Sequence, residues 1–422
     1  MLNETRQKIS KLYHEYPRTF WIVIVVTFVD RIGGSLLFPF FALYITSKFN
    51  VGMTDVGVLF AAFSVSSFAG SAIGGALTDR FGRKGIIMFG LIASSFSTVA
   101  MGLIGSFHTF FFLALFVGIL TDVAGPAHQA MIADILPEEK RADGYGILRV
   151  AFNLSVVIGP AIGGFLAARS YLLLFLSDAV ISLLTVILIA IFLPETKPQA
   201  HPDAPKESVA GTFVGYGQVF RNTAFMLFLG AVLLQVFMYM NMNTSLGVYL
   251  RNQHGTPASG YGLLLSINAA MVVLMQFPIT RRITKYPSML MMAFGTFLYV
   301  IGFSMYGFVA SYTFFVVAMV IITLGEMIVS PVSQALVASF APEEMRGRYM
   351  AVSGFSWGIP FAVGPYLAGL IMDGPKPYLL WYAAGFVGLL STIAFLALYR
   401  IRQKQENKLA SLSEITALQT GN

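Results

Sequence analysis

The chain has 422 residues, 56% hydrophobic and only 11% charged, with a mean hydropathy of +0.74. That composition excludes an ordinary soluble domain. With no cysteine there are no disulfides, thiolate nucleophiles or cysteine metal sites, and the five histidines are scattered without ligand spacing, so no metal and no cofactor is expected.

Twelve runs are long and apolar enough to cross a bilayer: 18–46, 54–79, 85–106, 109–136, 142–168, 170–193, 223–250, 258–280, 287–310, 313–339, 347–373 and 378–400. The first is too long for a signal-peptide core and lacks a small-residue cleavage site, so it is expected to stay as an anchor. Of the 27 Lys and Arg residues, 21 fall on one set of loops and the termini, while the opposite loops hold Lys48, Arg169, Arg251 and Lys376. Cytoplasmic loops retain positive charge, which predicts a multi-pass protein of the cell (inner) membrane with both termini cytoplasmic. The same rule accounts for the +7 net charge without a nucleic-acid partner. No G-x-x-x-x-G-K-[ST] loop is present, so a gradient rather than ATP hydrolysis would drive any transport.

Shifting the chain by 205 positions aligns it with itself without a gap. Phe89-Gly90 falls on Phe294-Gly295, Pro126 on Pro331, Pro137-Glu138-Glu139 on Pro342-Glu343-Glu344, and Gly159-Pro160 on Gly364-Pro365. The domains expected are an N-terminal six-helix bundle (1–193), a cytoplasmic linker (194–222) and a C-terminal six-helix bundle with its tail (223–422). What repeats is scaffold, Gly and Pro that permit close packing or kinks. The charges inside the apolar runs do not repeat: Asp30 aligns with Gln235, Asp122 with Met327, Arg149 with Gly354 and Glu326 with Thr121.

Between the second and third runs stands Gly75-Ala-Leu-Thr-Asp79-Arg80-Phe-Gly82-Arg83-Lys84, and the fifth run carries Gly159-Pro160-x-x-Gly163-Gly164. The first resembles the G-x-L-x-D-R-x-G-R-K loop of the major facilitator superfamily, and the second the G-P-x-x-G-G motif of its twelve-helix drug:proton antiporter branch. The resemblance covers essentially the whole chain. It implies an all-α membrane protein of two pseudo-symmetric six-helix bundles, with spans one, four, seven and ten lining a central cavity. It also implies a gating role for Gly75, Asp79, Arg80, Gly82, Arg83 and Lys84, with Asp134 as a nearby carboxylate for Arg83, and an antiporter role for Gly159, Pro160, Gly163 and Gly164. The branch's helix-four arginine has no counterpart in 109–121, where Asp122 is the first charge.

A charge held in an apolar run without a polar partner costs several kcal/mol or more, which makes such residues the candidate site. Glu326, with Thr323, Ser330 and Ser333 at helical spacing, is the leading candidate, because a carboxyl at that depth can alternate between holding a proton and attracting a cation. Asp30, Asp122, Gln235 and Asn243 are further cavity candidates. Arg31, about 100° round the helix from Asp30, and Arg149 read as counter-charges. Asp178 would face outward in the arrangement that the resemblance implies, so it reads as structural or as lying near the membrane boundary.

The function expected is proton-coupled export of apolar or cationic small molecules by alternating access, that is, multidrug efflux by a monomer working among membrane lipids. A carrier dedicated to one metabolite, sugar or lipid is the alternative, since one fold serves all of these. No nucleophile or metal constellation suggests an enzyme.

Overall fold

A computed structural model describes residues 13–196, 217–342 and 345–420. Among them every regular element is a helix. The first half contains α1 (Arg18–Phe49), α2 (Met53–Phe81), α3 (Arg83–Leu103), α4a (Phe107–Asp122), α4b (Gly125–Ile135), α5 (Glu138–Arg169) and α6 (Tyr171–Phe192). The second contains α7a (Thr223–Thr244), α7b (Leu246–His254), α8 (Ala258–Ile283), α9 (Ser288–Met305), α10 (Tyr312–Phe340), α11 (Arg346–Met372) and α12 (Leu379–Thr420).

Eleven of the described helices are individually long and apolar enough to cross a membrane. The fourth span, expected as one run over 109–136, is instead made of two pieces. The break falls at Val123 and Ala124, and Pro126 occupies the first turn of α4b. Proline has no N–H for a continuing ladder but is tolerated at a helix start, so it sets this restart. The seventh run, expected over 223–250, is also interrupted, at Ser245. Its second piece continues to His254 and stops at Gly255, whose φ of 62° is the left-handed conformation of a helix C-cap.

The described residues fall into two compact units that do not follow the halves of the sequence. One takes the first half up to Ala204 together with Met242–Ala269 and Pro365–Gly369. The other takes Pro205–Asn241, Ala270–Gly364 and Leu370–Asn422. In the first unit α5 lies directly against α1. A Cβ on Gly159 would come within 2.5 Å of Ser35 Cβ, and one on Gly163 would overlap the Leu36 carbonyl, so only glycine allows that approach. Between helices in lipid, backbone proximity of this kind supplies the attraction that water-driven burial supplies elsewhere.

In the second unit α9 and α10 cross at a glycine pair, where a Cβ on Gly325 would lie 2.6 Å from the Gly295 carbonyl oxygen. The same unit joins α9 to α12 by stacking Phe303 on Trp381, centroids 6.4 Å apart. It joins α12 to α7a by a buried hydrogen bond of 2.7 Å from the Ser391 hydroxyl to the Ala231 carbonyl.

Candidate functional site

Next to the α9–α10 glycine crossing, Glu326 stands with two tyrosines of the second unit. Tyr239 of α7a donates its phenolic hydrogen to Glu326 Oε1 at 2.8 Å. The Tyr239 ring lies 5.5 Å from Tyr299 of α9 and 6.1 Å, edge to face, from Trp357 of α11. Tyr299 is within electrostatic range of the same carboxylate. Three helices thus meet at one half-buried carboxylate with tyrosine rings beside it, and α11 backs Tyr239 with Trp357, an arrangement that suits a monovalent cation by charge and by ring quadrupole. Thr323, expected on the same polar stripe, is fully buried and donates to the Met319 carbonyl of its own helix at 2.7 Å. Gln235, 3% exposed, belongs to this unit, whereas Asn243 lies past the point where the chain enters the other.

In the first unit a second group of charges gathers around the start of the glycine stretch in α1. Asp30 lies within electrostatic range of Arg31 and of Asp178, and Asp178 is hydrogen-bonded to Thr98 of α3. The outward face expected for Asp178 is wrong: the residue is 8% exposed and points at α1. A Cβ on Gly33 would lie 2.5 Å from its Oδ1. Asp178 lies on the buried stripe that it forms with Ser182 and Thr185 along α6, and Thr98 of α3 is its partner there. Arg31 itself is exposed, with its guanidinium carbon 5.7 Å from the centre of the Phe152 ring in α5.

At the end of this unit where α2 passes into α3, Gly82 takes φ 94°, which favours glycine, and turns the chain so that Arg83 enters the bundle. Arg83 is 8% exposed, and its Nε donates to Asp134 Oδ2 of α4b at 2.7 Å. Arg83 and Lys84 also present their backbone N–H groups to the Glu195 carboxylate at 2.8 and 3.1 Å. That carboxylate sits at the positive end of the α3 dipole. Lys84 Nζ donates to the Ala190 carbonyl at 2.9 Å, and Arg80 lies over the Phe81 ring at 5.3 Å. The sequence gives no sign of Glu195, which is 112 residues from Arg83 and in the stretch assigned to the linker.

The opposite end of the unit is held by Arg251 of α7b, which donates to the Leu43 carbonyl at 3.2 Å, to Thr46 Oγ1 at 3.0 Å and to the Ser47 hydroxyl. These acceptors lie in the last two turns of α1, where the helix dipole favours a cation. Beside it Gly164 meets Gly262 of α8, where a Cβ on Gly164 would lie 2.6 Å from the Gly262 Cα. The motif glycines of α5 therefore serve two contacts, α1 through Gly159 and Gly163, and α8 through Gly164; Pro160 lies buried within the same helix. Gly75 and the side chains of Asp79, Asp122 and Arg149 lie outside the described residues.

The family model described as Major Facilitator Superfamily matches residues 23–257 and 227–419. The chain is 28% identical over 378 residues to a Na(+), Li(+), K(+)/H(+) antiporter of Planococcus maritimus, covering 83% of this chain and 89% of that one. It is 25% identical over 382 residues to Multidrug resistance protein 1 of Bacillus subtilis strain 168, covering 90% and 96%. Among solved structures, a POT family transporter in complex with 5-aminolevulinic acid superposes with a TM-score of 0.73 at 17% identity, covering 90% of this chain and 96% of that one, which speaks to the fold alone. Duplicated sets of six spans, intramembrane carboxylates and these likenesses define a multi-pass membrane transporter and not an enzyme. The chain belongs to the major facilitator superfamily.

Proposed function

We propose that this protein is a proton-coupled exporter of apolar or cationic small molecules, working as a monomer by alternating access in the cell membrane with both termini cytoplasmic. The observation that carries the reading is the Glu326 carboxylate, held at 2.8 Å by Tyr239, whose ring packs against Tyr299 and Trp357. Proton and cation compete for that one group. A proton arriving from outside releases the cation there, and its loss to the cytoplasm re-forms the carboxylate for the next one. Arg83, Asp134 and Glu195 brace one end of the first bundle, while Arg251, from the second expected bundle, bonds the end of α1 and is the contact that closes and reopens. The expected bundles, 1–193 and 223–422 joined by 194–222, are the bodies that rock.

The test is to energise inside-out vesicles and add a lipophilic cation such as ethidium. Collapse of the proton gradient in wild type, lost in Glu326→Gln, supports the reading. Collapse that persists in Glu326→Gln removes its central residue, and no response to a broad panel of cations moves the assignment to a carrier of one metabolite, sugar or lipid.

A second reading has its own observation. Asp178, bonded to Thr98 and pointing at α1 beside Gly33, lies within electrostatic range of Asp30, and the relative from Planococcus maritimus is named for sodium, lithium and potassium exchange. In that case alkali cations, and not ethidium, would collapse the gradient.

A further inference from the structure

The bond between Tyr239 and Glu326 helps to fix how α7a lies along α10. Phe225 packs on Phe340 with ring centroids 5.7 Å apart, and Tyr239 donates to Glu326, two contacts 14 residues apart on each helix (225 to 239 and 340 to 326). The two helices therefore run antiparallel in one register, which sets Gln235 of α7a across from Ser330 of α10. Gln235 stands four residues before Tyr239, and Ser330 four after Glu326. Both lie on the faces that carry the bonded pair, about 6 Å from it along the axis.

Gln235 is 3% exposed and makes no hydrogen bond among the described residues. Ser330 is exposed within its apolar span, and its hydroxyl makes none among them either. A primary amide offers two donors and an acceptor, and burying one without partners is unfavourable. An amide kept at such a place marks where a group from outside the chain completes it. In the internal repeat Gln235 stands where the first copy has Asp30, so this position is polar in both copies although each lies in an apolar run.

We propose that Gln235 and Ser330 hold a neutral hydrogen-bonding group of the transported molecule while Glu326 holds its charge, an inference that rests on the reading of Glu326 as the cation site. The substrate class is then an organic cation with a carbonyl, ether or hydroxyl oxygen about 6 Å from its charged nitrogen, the rise of four helical residues. Such an oxygen accepts from the Gln235 N–H groups and from the Ser330 hydroxyl, and a substrate hydroxyl can also donate to the Gln235 carbonyl. A cation without such a group occupies the charge site and leaves the amide unmet.

The experiment is calorimetric titration of the full chain in detergent with two probes. Hexanoylcholine carries an ester carbonyl at a comparable distance from its nitrogen, and nonyltrimethylammonium has the same chain length without oxygen. Wild type is compared with Gln235→Met, which keeps the side-chain length and removes the amide, with Ser330→Ala and with Glu326→Gln; a melting curve of each variant checks its folding. Gln235→Met should weaken hexanoylcholine about fivefold or more and Ser330→Ala about twofold or more, while nonyltrimethylammonium stays within about twofold in both. Ser330→Ala changes an exposed position, so it carries the test even if Gln235→Met does not fold. Equal weakening of the two probes, unchanged hexanoylcholine affinity in both variants, or no binding of hexanoylcholine by wild type overturns the proposal. Glu326→Gln should weaken both probes. If it weakens neither while Gln235→Met loses hexanoylcholine alone, the cation reading of Glu326 fails and the polar subsite stands.

Discussion

Tyr239 and Glu326, 87 positions apart in the chain, meet through a single hydrogen bond of 2.8 Å from the phenol to the carboxylate. The bond occupies one oxygen of the carboxylate and fixes its direction among the rings. Tyr239→Phe keeps the ring and removes the donor. Hydrogen bonds to charged groups are worth about 1.5–3 kcal/mol, so cation affinity should fall about tenfold or more while the protein still folds. Ethidium binding by fluorescence anisotropy measures this, and affinity unchanged in Tyr239→Phe would show that the bond does not organise the site.

Arg83 and Asp134 form a close ion pair with side chains only 10% and 13% exposed. Removing one partner of a pair so far from water leaves a charge uncompensated, at a cost of about 3–5 kcal/mol. Asp134→Asn should therefore lower the melting temperature in detergent and reduce transport together. The exchanged pair, Arg83→Asp with Asp134→Arg, should recover part of both, giving a coupling of about 0.5–3 kcal/mol in a double-mutant cycle. Additive losses would mean that the pair acts only as two separate surface charges.

The charges and the loop were readable in the sequence because each breaks a local rule: a carboxylate such as Glu326 inside an apolar run, or a dense Asp79-Arg80-x-Gly82-Arg83-Lys84 string between two runs. Their partners were not. Tyr239 stands between the candidates Gln235 and Asn243 and could be read as a ligand contact, but its bond to Glu326, like the place of Tyr299, shows only once α7a, α9 and α10 are packed together, and Glu195 looks like linker until α6 returns beside α3. Asp178 was misplaced although its own helix carries the signal: Asp178, Ser182 and Thr185 recur at helical spacing and are all buried, a polar stripe that marks the inward face. The break in the fourth span had its sign in Pro126, but the interruption at Ser245 has no proline to announce it.

Gly163 admits nothing larger than hydrogen, since a Cβ there would overlap the Leu36 carbonyl, whereas Gly146 of the same helix has nothing within 4 Å of its Cβ direction. Gly163→Val should push α5 off α1, at about 1–3 kcal/mol or more for the overpacking, and leave little folded protein in the membrane. Gly146→Ala should be neutral in yield and melting temperature. Similar yields for the two variants would show that close approach along α5 is not what holds it to α1.

Asp178→Asn separates the two readings of the coupling chemistry. Asp178 contacts Thr98 and adds to the charge felt by Asp30, yet belongs to a different compact unit from Glu326. Asparagine keeps the size and much of the hydrogen bonding while removing the charge. If Glu326 handles both proton and substrate, Asp178→Asn should retain ethidium-driven proton movement within about threefold of wild type, since the effects of independent sites add to within about 0.5 kcal/mol. If the Asp30–Asp178 pair holds an alkali cation, the same variant should abolish sodium- or potassium-driven proton movement in vesicles while Glu326→Gln leaves it intact. Loss of ethidium response in Asp178→Asn at normal folded yield would overturn the assignment to Glu326 alone and place the coupling proton on a path that includes the first unit.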